Sequence, residues 1–312
     1  DRMLLERDPY PVLQAMLVCG FVVGAEHGFI YIRDEYPRAR AVVAAAIEKL
    51  RAAGRLDGFE IEVRRGAGAY VCGEETSLFN SIEGRRGEPR NRPPFPVDQG
   101  LFGCPTVINN VETLAAVVRI LEEGGESYGR LGTTGSAGTK LFCVSGAVTK
   151  PGLFEVEFGA TLRELIDLAG GVPAGHSLQA VLLGGAAGTF VGPGALDLPL
   201  TLEATREAGM TVGSGAVVVF DDTADLGEAV LRIARFFREE SCGQCVPCRV
   251  GTVRQEEALR RMFTGRPLGS HGEELIRLRD ISQVMRDASI CGLGQTAANA
   301  VQSALVQMGV GS

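Results

Sequence analysis

Apolar positions in the first part of the chain alternate between helical and extended spacing. Apolar side chains recur every three to four residues over Pro11–Gly24 and Pro37–Ala53, which predicts two helices, the second ending at Gly54. Short apolar stretches at Gly28–Arg33 and Gly58–Arg64 predict strands. Strands that alternate with helices are typical of an α/β layer with a parallel sheet.

The middle of the chain has mostly extended patterns around one short helix. The predicted strands are Leu141–Ser145, Leu153–Phe158, Leu178–Leu183 and Ala216–Phe220. Thr161 and Glu164 have capping-box spacing, so a helix begins there, and Gly170 and Gly171 end it. A hairpin, a helix and further strands predict a small β-grasp-like domain.

From Ala224 onward the pattern is helical. Apolar residues at three- to four-residue spacing predict helices around Leu226–Phe237 and over Val250–Phe263, Glu273–Ala288 and Thr296–Met308. Four helices with short connections predict a small bundle. The three patterns together predict an α/β domain at 1–132, a β-grasp domain at 133–223 and an all-α domain at 224–312.

Composition and charge exclude several classes of protein. The chain has 312 residues, 45% of them hydrophobic and 22% charged, which is typical of globular proteins. Its net charge of −7 argues against nucleic-acid binding through bulk positive charge. It has no run of about 18 apolar residues, so we expect no membrane span. Residues 1–6 have no signal-peptide pattern, so the eight cysteines are expected to be thiols or metal ligands rather than disulfides.

Four of the cysteines have the spacing of a metal centre. Cys242, Cys245 and Cys248 form a Cys-x-x-Cys-x-x-Cys run, and Cys291 lies downstream in SICGLGQTA. Four cysteine ligands are the usual set for an iron–sulfur cluster. Zinc is the main chemical alternative, although zinc sites usually pair two separate Cys-x-x-Cys turns. Four unrelated buried thiols are the other alternative, since cysteine is common in protein cores.

Three further motifs lie in the first domain. Gly66–Leu78 (GAGAYVCGEETSL) follows a predicted strand but lacks the third glycine of a dinucleotide fingerprint, so by itself it favours a tight turn capped by acidic residues. In Arg90–Pro96 (RNRPPFP), the prolines are expected to hold Phe95 extended for stacking. Thr106–Thr113 reads TVINNVET.

Five motifs, taken in their order along the chain, closely resemble the flavin- and NADH-binding subunit of respiratory complex I. They are GAGAYVCGEET, NRPPFP, TVINNVET, SCGQCVPCR and CGLGQTA. The related subunits of NAD-linked formate dehydrogenases and hydrogenases are similar too. The resemblance implies a Rossmann-like FMN- and NADH-binding domain at 1–132 and a soluble-ligand-binding β-grasp domain at 133–223. It also implies a helical bundle at 224–312 in which Cys242, Cys245, Cys248 and Cys291 ligate a [4Fe–4S] cluster.

The glycine-rich motif supplies the residues implied to lie beside the flavin and the nicotinamide: Tyr70, Gly73, Glu74 and Glu75. Glu74 and Glu75 are also the implied catalytic residues, since a carboxylate near a flavin tunes substrate binding and hydride geometry. No general acid or base is required, because hydride transfer belongs to the cofactors.

The other two motifs of this domain supply the remaining implied cofactor contacts. Phe95 is implied to stack on the adenine of NADH. Arg92 stands where the complex I subunit often has lysine, and it is implied to meet a phosphate with a different geometry. Asn109 and Asn110 are implied to hold the ribityl chain and phosphate end of FMN, with Thr113 close by.

The implied activity is that of a diaphorase, an oxidoreductase subunit that exchanges electrons between NAD(H), FMN and a [4Fe–4S] cluster. The implied partners are a thioredoxin-like [2Fe–2S] subunit and a larger catalytic or iron–sulfur subunit. CGLGQTA resembles the formate dehydrogenase and hydrogenase versions more than the complex I version. We therefore expect a cytoplasmic protein, or one peripheral to a membrane complex.

Two alternatives remain open at this point. The family has a glycine-rich loop that wraps the flavin phosphate, and this loop would precede Asp1, so the first domain is expected to be N-terminally truncated. A chain without flavin would be a non-catalytic electron-relay or assembly module that keeps the cluster. The third hypothesis is a ligand-binding scaffold in which the β-grasp domain binds the ligand and the cysteines hold zinc.

Overall fold

The computed structural model describes residues 1–310 and divides into two units, Asp1–Tyr128 and a second unit that starts at Gly129. The last two residues of the predicted third domain, 311 and 312, lie outside the described residues. The division into three domains stays a prediction.

The first unit has the predicted alternation of helices and strands. Its elements are α1 (Arg2–Arg7), α2 (Tyr10–Val23), β1 (His27–Ile32), α3 (Pro37–Ala52), β2 (Glu60–Arg65), α4 (Glu75–Ile82), α5 (Val111–Glu123) and α6 (Gly125–Tyr128). Strands β1 and β2 pair in parallel, with His27 opposite Glu60. Ile30 and Ile61 are buried in the same apolar core as Leu13 of α2. The predicted α/β layer with a parallel sheet is therefore confirmed for this segment.

The second unit begins with a five-stranded mixed sheet. Its strands are β3 (Thr139–Gly146), β4 (Gly152–Glu157), β5 (Leu178–Leu183), β6 (Thr189–Val191) and β7 (Ala216–Asp221). They lie in the order β4-β3-β7-β5-β6, and among the described strands of this sheet only the β3–β7 pair is parallel. Helix α7 (Leu162–Leu168) starts at the predicted capping box, in which Thr161 and Glu164 each bond the other's backbone N–H. Helix α8 (Leu202–Glu207) and strand β6 have no counterpart in the sequence prediction.

The helices that follow differ from the predicted set in number and in one boundary. They are α9 (Leu226–Glu240), α10 (Val246–Phe263), α11 (His271–Ala288), α12 (Gly292–Thr296) and α13 (Asn299–Gln307). Helix α10 begins four residues before the predicted Val250, because Pro247 fits the first turn, where its missing N–H costs nothing. The predicted helix at 296–308 corresponds to α13, and the short α12 before it has no counterpart in the prediction. The apolar pattern therefore predicts four helices where this part of the described chain has five.

Strand β5 contributes to two apolar cores at once. Val181 and Leu183 pack on the side of the sheet where Leu165 of α7 lies. Ala180 and Leu182 pack on the other side, together with Val230 of α9 and other helical residues. The sheet and the helices of the second unit are therefore joined through this strand.

A buried carboxylate, Glu274 of α11, is held by the helix before it. Its side chain is fully buried and accepts hydrogen bonds from Arg261 Nε at 2.7 Å and from the Leu268 N–H at 2.9 Å. The hydrogen bond from Arg261 lowers the pKa of Glu274 from about 4.5 to about 2, and burial opposes this only in part. Because the pKa is lower in the folded chain, the stabilisation is present above pH 4.5 and is lost as the pH falls towards 2.

We expect Glu274→Gln to lower the free energy of unfolding of the second unit by about 2–4 kcal/mol at neutral pH, since it removes the buried charged partner of Arg261. Urea denaturation followed by circular dichroism measures this loss, and the difference from the parent chain should shrink below pH 4.5. Glu257→Gln is the matched control, because Glu257 forms an exposed pair with Arg254. Equal losses in the two variants would contradict the prediction.

Candidate cofactor sites

Glu74 lies at the start of α4, where the chain turns from the glycine-rich segment into the helix. Its Oε2 atom caps the helix by accepting hydrogen bonds from the backbone N–H groups of Thr76 at 3.0 Å and Ser77 at 2.8 Å. The hydroxyl groups of both residues donate to the same oxygen. Burial raises the pKa of Glu74, but the hydrogen bonds from Thr76, Ser77 and Arg92 outweigh it and hold that pKa below its usual value. Glu74 is therefore ionised and fixed in orientation.

Arg92 connects the two predicted catalytic carboxylates. One Nη atom donates to Glu74 Oε1, and the other lies 2.8 Å from Glu75 Oε1. The sequence motifs NRPPFP and GEET, which are distant along the chain, therefore meet in one ion-paired group. We call Glu74, Glu75 and Arg92 the carboxylate clamp. A guanidinium that bridges two adjacent carboxylates offsets their mutual repulsion.

A second arginine fixes the loop that follows the carboxylate clamp. Arg90 donates from Nε to Asn80 Oδ1 at 2.9 Å and from Nη2 to Glu83 Oε2 at 2.6 Å. The other oxygen of Glu83 accepts the Phe102 N–H at 2.8 Å. Both ends of the loop from Arg90 to Phe102 are therefore hydrogen-bonded to α4 or to Glu83, the residue directly after it. The sequence motifs indicate no role for Arg90, and Glu83 lies outside every motif.

Phe95 lies on this loop and is half exposed. Its carbonyl accepts the N–H groups of Asp98 and Gln99, both at 2.9 Å, so a turn starts directly after it. The ring is available for stacking, whereas the loop that carries it is fixed by Arg90 and Glu83. This placement suits the stacking that the resemblance implies for Phe95.

The glycine-rich segment borders open space at two of its glycines. Gly68 has φ +87° and Gly73 ends the 3₁₀ turn that contains Tyr70, and a Cβ at either glycine would meet nothing within 4 Å. Gly66 differs, because a Cβ there would lie 2.8 Å from Tyr31 Oη. Gly66 therefore serves close packing, while a flat ring system has room to approach the backbone at Gly68 and at Gly73. This part of the chain fits a flavin.

The predicted phosphate-end residues lie at the start of α5. Asn110 caps this helix, and its Oδ1 accepts the Glu112 N–H at 2.8 Å. Its Nδ2 donates to Asp1 Oδ2 at 3.0 Å. Asn109 and Thr113 are exposed. The hydrogen bonds described for the carboxylate clamp do not include these three residues, so the structure assembles the predicted flavin and NADH residues as two groups.

The four predicted cluster ligands lie at helix starts and on the loop before them. Cys242 and Cys245 follow α9, with Cys245 at the cap of α10, and Cys248 lies in the first turn of α10. Cys291 is the cap residue of α12. Burial and, to a smaller extent, the charges of Cys245, Cys291 and Cys242 raise the pKa of the Cys248 thiol to about 11. The three other cysteines therefore lie near Cys248.

The loop around these cysteines is fixed by polar contacts. Arg249 donates from Nη1 to the Gly243 carbonyl at 2.7 Å, so this arginine supports the loop instead of being an ordinary solvated side chain. A Cβ on Gly294 would lie 2.9 Å from Cys248 Cβ, so only glycine allows α12 to approach α10 this closely. All eight cysteines are thiols in the described structure.

Four cysteine thiolates are the donor set of a [4Fe–4S] cluster. Among residues 1–310, the one group of three His, Cys, Asp or Glu side chains whose ligand atoms all lie within 4.8 Å of one another is His176, Asp221 and Asp222. That group is separate from the cysteine site.

Comparisons with known proteins agree with this arrangement. Residues 1–119 match the Nuo51 FMN-binding domain, residues 141–188 the SLBB domain, and residues 228–308 the iron–sulfur binding region of NADH-ubiquinone oxidoreductase-F. Over 313 residues the chain is 42% identical to the F subunit of NADH-quinone oxidoreductase from Mycobacterium tuberculosis (strain ATCC 25618 / H37Rv), covering 98% of this chain and 70% of that protein. The chain belongs to the family of NADH-quinone oxidoreductase F subunits.

Members of this family also occur among hydrogenases. The NADP-reducing hydrogenase subunit HndC of Solidesulfovibrio fructosivorans is 40% identical over 318 residues, which cover 98% of this chain and 64% of that subunit. The crystal structure of an NAD⁺-reducing [NiFe]-hydrogenase in the H₂-reduced state superposes with a TM-score of 0.89 and 40% identity. The superposition covers 98% of this chain, which spans about half (52%) of that hydrogenase chain.

Family membership confirms the resemblance stated from the sequence, together with the oxidoreductase class, the FMN-binding domain and the [4Fe–4S] region. The β-grasp prediction is confirmed as an SLBB domain. Among residues 1–310, no helix combines the length and the apolar character needed to cross a bilayer.

Proposed function

We propose that this chain is the NADH-oxidising or NAD⁺-reducing diaphorase subunit of a hydrogenase, formate dehydrogenase or complex I-like enzyme. Two features of the chain carry the proposal. One is the carboxylate clamp, and the other is Cys248 with three further cysteines near it. The clamp offers a site for a nucleotide cofactor, and the cysteines offer one for a redox metal centre. A diaphorase needs both.

FMN would lie against the backbone at Gly68 and Gly73, with Asn109, Asn110 and Thr113 at its ribityl and phosphate end. When bound, FMN accepts a hydride from NADH and the [4Fe–4S] cluster accepts electrons singly. The protein contributes binding and orientation. Tyr70 and the fixed Glu74 carboxylate would define the side of the site where the nicotinamide lies.

The residues that bind NADH would be those of the clamp and of the loop after it. Arg92 has two donors on one face, which suits a phosphate as well as the carboxylates of Glu74 and Glu75. Phe95 would stack on the adenine, since aromatic rings pair well with flat bases. Glu75 would orient the nicotinamide half through hydrogen bonds.

The cluster would be held by four thiolates, as in other [4Fe–4S] proteins. The ligands would be Cys242, Cys245, Cys248 and Cys291. The partners would be a thioredoxin-like [2Fe–2S] subunit and a larger catalytic or iron–sulfur subunit. CGLGQTA supports a hydrogenase- or formate dehydrogenase-type assembly, and a cytoplasmic protein fits that type.

The proposal predicts that NADH bleaches the flavin. The chain is purified without oxygen and loaded with FMN, iron and sulfide, and its absorption spectrum is recorded before and after NADH is added. We expect the flavin absorption to fall and the low-temperature paramagnetic signal of a reduced cluster to appear. Bound flavin that NADH cannot reduce would contradict the proposal.

Two other results of the same experiment would support the competing functions. An intact cluster in a chain that never binds FMN would support an electron-relay or assembly module. Zinc without iron in the purified chain would support a ligand-binding scaffold.

A further inference from the structure

We propose that two serine hydroxyl groups, those of Ser241 and Ser289, donate hydrogen bonds to sulfur on the Cys248 side of the cluster and raise its reduction potential. This inference rests on the proposed [4Fe–4S] site. It assigns a function to two residues that no cluster motif requires, because neither is a ligand.

Ser241 lies directly against the sulfur of Cys248. Its Oγ is 3.2 Å from Cys248 Sγ, and it accepts the Gly243 N–H at 3.3 Å. A ligating thiolate has no proton, so in the loaded protein the hydroxyl must be the donor. The Gly243 N–H bond then leaves the hydroxyl proton of Ser241 directed to the sulfur.

Ser289 approaches from the other helix and is the less expected of the two. It ends α11, two residues before Cys291, and is 6% exposed. Its Oγ is buried and has no hydrogen-bond partner among the described residues. Buried hydroxyl groups without partners are rare in folded proteins, because an unpaired one costs about 1–3 kcal/mol. Such a group therefore indicates an acceptor that the polypeptide does not supply.

The position of Ser289 identifies that acceptor. A Cβ placed on Gly294 would lie 2.4 Å from Ser289 Oγ and 2.9 Å from Cys248 Cβ. The Ser289 hydroxyl and the Cys248 side chain therefore both pack against Gly294 of α12. Gln295 Nε2 holds the serine in place by donating to its carbonyl at 3.0 Å. The acceptor expected at this point is a sulfide of the cluster that Cys248 ligates.

The close packing of α10 and α11 supports the same geometry. A Cβ on Gly251 would lie 2.5 Å from Met285 Cγ, so the two helices touch one turn from Cys248 and one turn from Ser289. Hydrogen bonds to cluster sulfur stabilise the reduced, more negatively charged state more than the oxidised one, and so raise the reduction potential. Two donors on the same side of the cluster therefore shift its potential in the same direction.

The test is a potentiometric titration of the cluster-loaded chain, followed by the paramagnetic signal of the reduced cluster. We expect Ser289→Ala and Ser241→Ala each to shift the midpoint to a more negative potential, with a several-fold lower ratio of reduced to oxidised cluster at a fixed potential. Iron content and signal shape verify that the cluster is intact. Ser289→Thr keeps the hydroxyl and should retain the parent midpoint.

Ser282→Ala is the matched control. Ser282 is a buried serine of the same helix, but its hydroxyl donates to the Leu278 carbonyl at 2.6 Å, so its loss should leave the midpoint unchanged. A parent midpoint in Ser289→Ala, or an equal shift in Ser289→Thr, would overturn the assignment of Ser289. If Ser289→Ala assembles no cluster, Ser241→Ala decides, and an unchanged midpoint there overturns the inference. A parent chain without iron or signal would instead refute the proposed cluster itself.

Discussion

Replacing Cys291 with serine is expected to abolish the paramagnetic signal of the reduced [4Fe–4S] cluster. Cys291 is the one proposed ligand that comes from outside the Cys-x-x-Cys-x-x-Cys run, and it closes the coordination from the cap of α12. Three thiolates leave one iron of a [4Fe–4S] core without its cysteine ligand. We expect the iron content per chain to fall in the same variant, and electron transfer from NADH to a one-electron acceptor to fall with it.

Cys143→Ser provides the comparison for Cys291→Ser. Cys143 is an exposed thiol on β3 and is not among the proposed ligands. Its variant should keep both the iron content and the low-temperature signal of the parent. A normal signal in Cys291→Ser would reject the ligand assignment, whatever the control shows.

Replacing Arg92 with alanine is expected to lower kcat/KM for NADH by about 10- to 100-fold, which corresponds to the loss of one or two charge-assisted hydrogen bonds. The variant also leaves the adjacent carboxylates of Glu74 and Glu75 without their shared counter-ion. That repulsion would move Glu75 and oppose the approach of an anionic nucleotide. Steady-state reduction of ferricyanide by NADH measures the effect, and we expect most of it in KM.

The control for Arg92→Ala is Arg38→Ala. Arg38 is a largely exposed arginine of α3 whose nearest carboxylate oxygen, from Glu6, is 4.0 Å away. Because exposed pairs contribute little, this variant should keep the parent kcat/KM. Parent kinetics in Arg92→Ala would show that the carboxylate clamp does not take part in NADH binding.

The parts of the fold that the sequence predicts well are those that depend on neighbouring residues. Thr161 and Glu164 predict the start of α7 because a capping box needs only four consecutive residues. The alternation around Ile61 predicts β2 for a similar reason. Strand β6 has only three residues, all of them buried, so it shows neither the alternation of a half-buried strand nor the spacing of a helix. Helix α12 is also not predicted, since it has only five residues and two of them are glycine.

For the candidate sites too, the sequence predicts local patterns but not contacts between distant segments. The cysteine run and the glutamate pair are local patterns, and the sequence indicates both. The hydrogen bond between Arg90 and Glu83 and the position of Ser289 beside Cys248 depend on how distant segments pack. Neither has a sequence signal in a single chain, because serine and glutamate are common at helix ends for other reasons. Three-dimensional structure was needed to find them.

Strand β5 also sets the order in which the second unit can be completed during synthesis. The centre of its sheet, β7, pairs with β3 on one side and β5 on the other, so the sheet cannot close until residue 221 has left the ribosome. Ala180 and Leu182 then stay exposed until the helices after residue 226 cover them. The four proposed ligand cysteines lie on or next to those helices, so they are synthesised at the same stage. Insertion of a cluster would therefore be the last step of folding, and a nascent chain stalled before it would present an apolar strand face to chaperones.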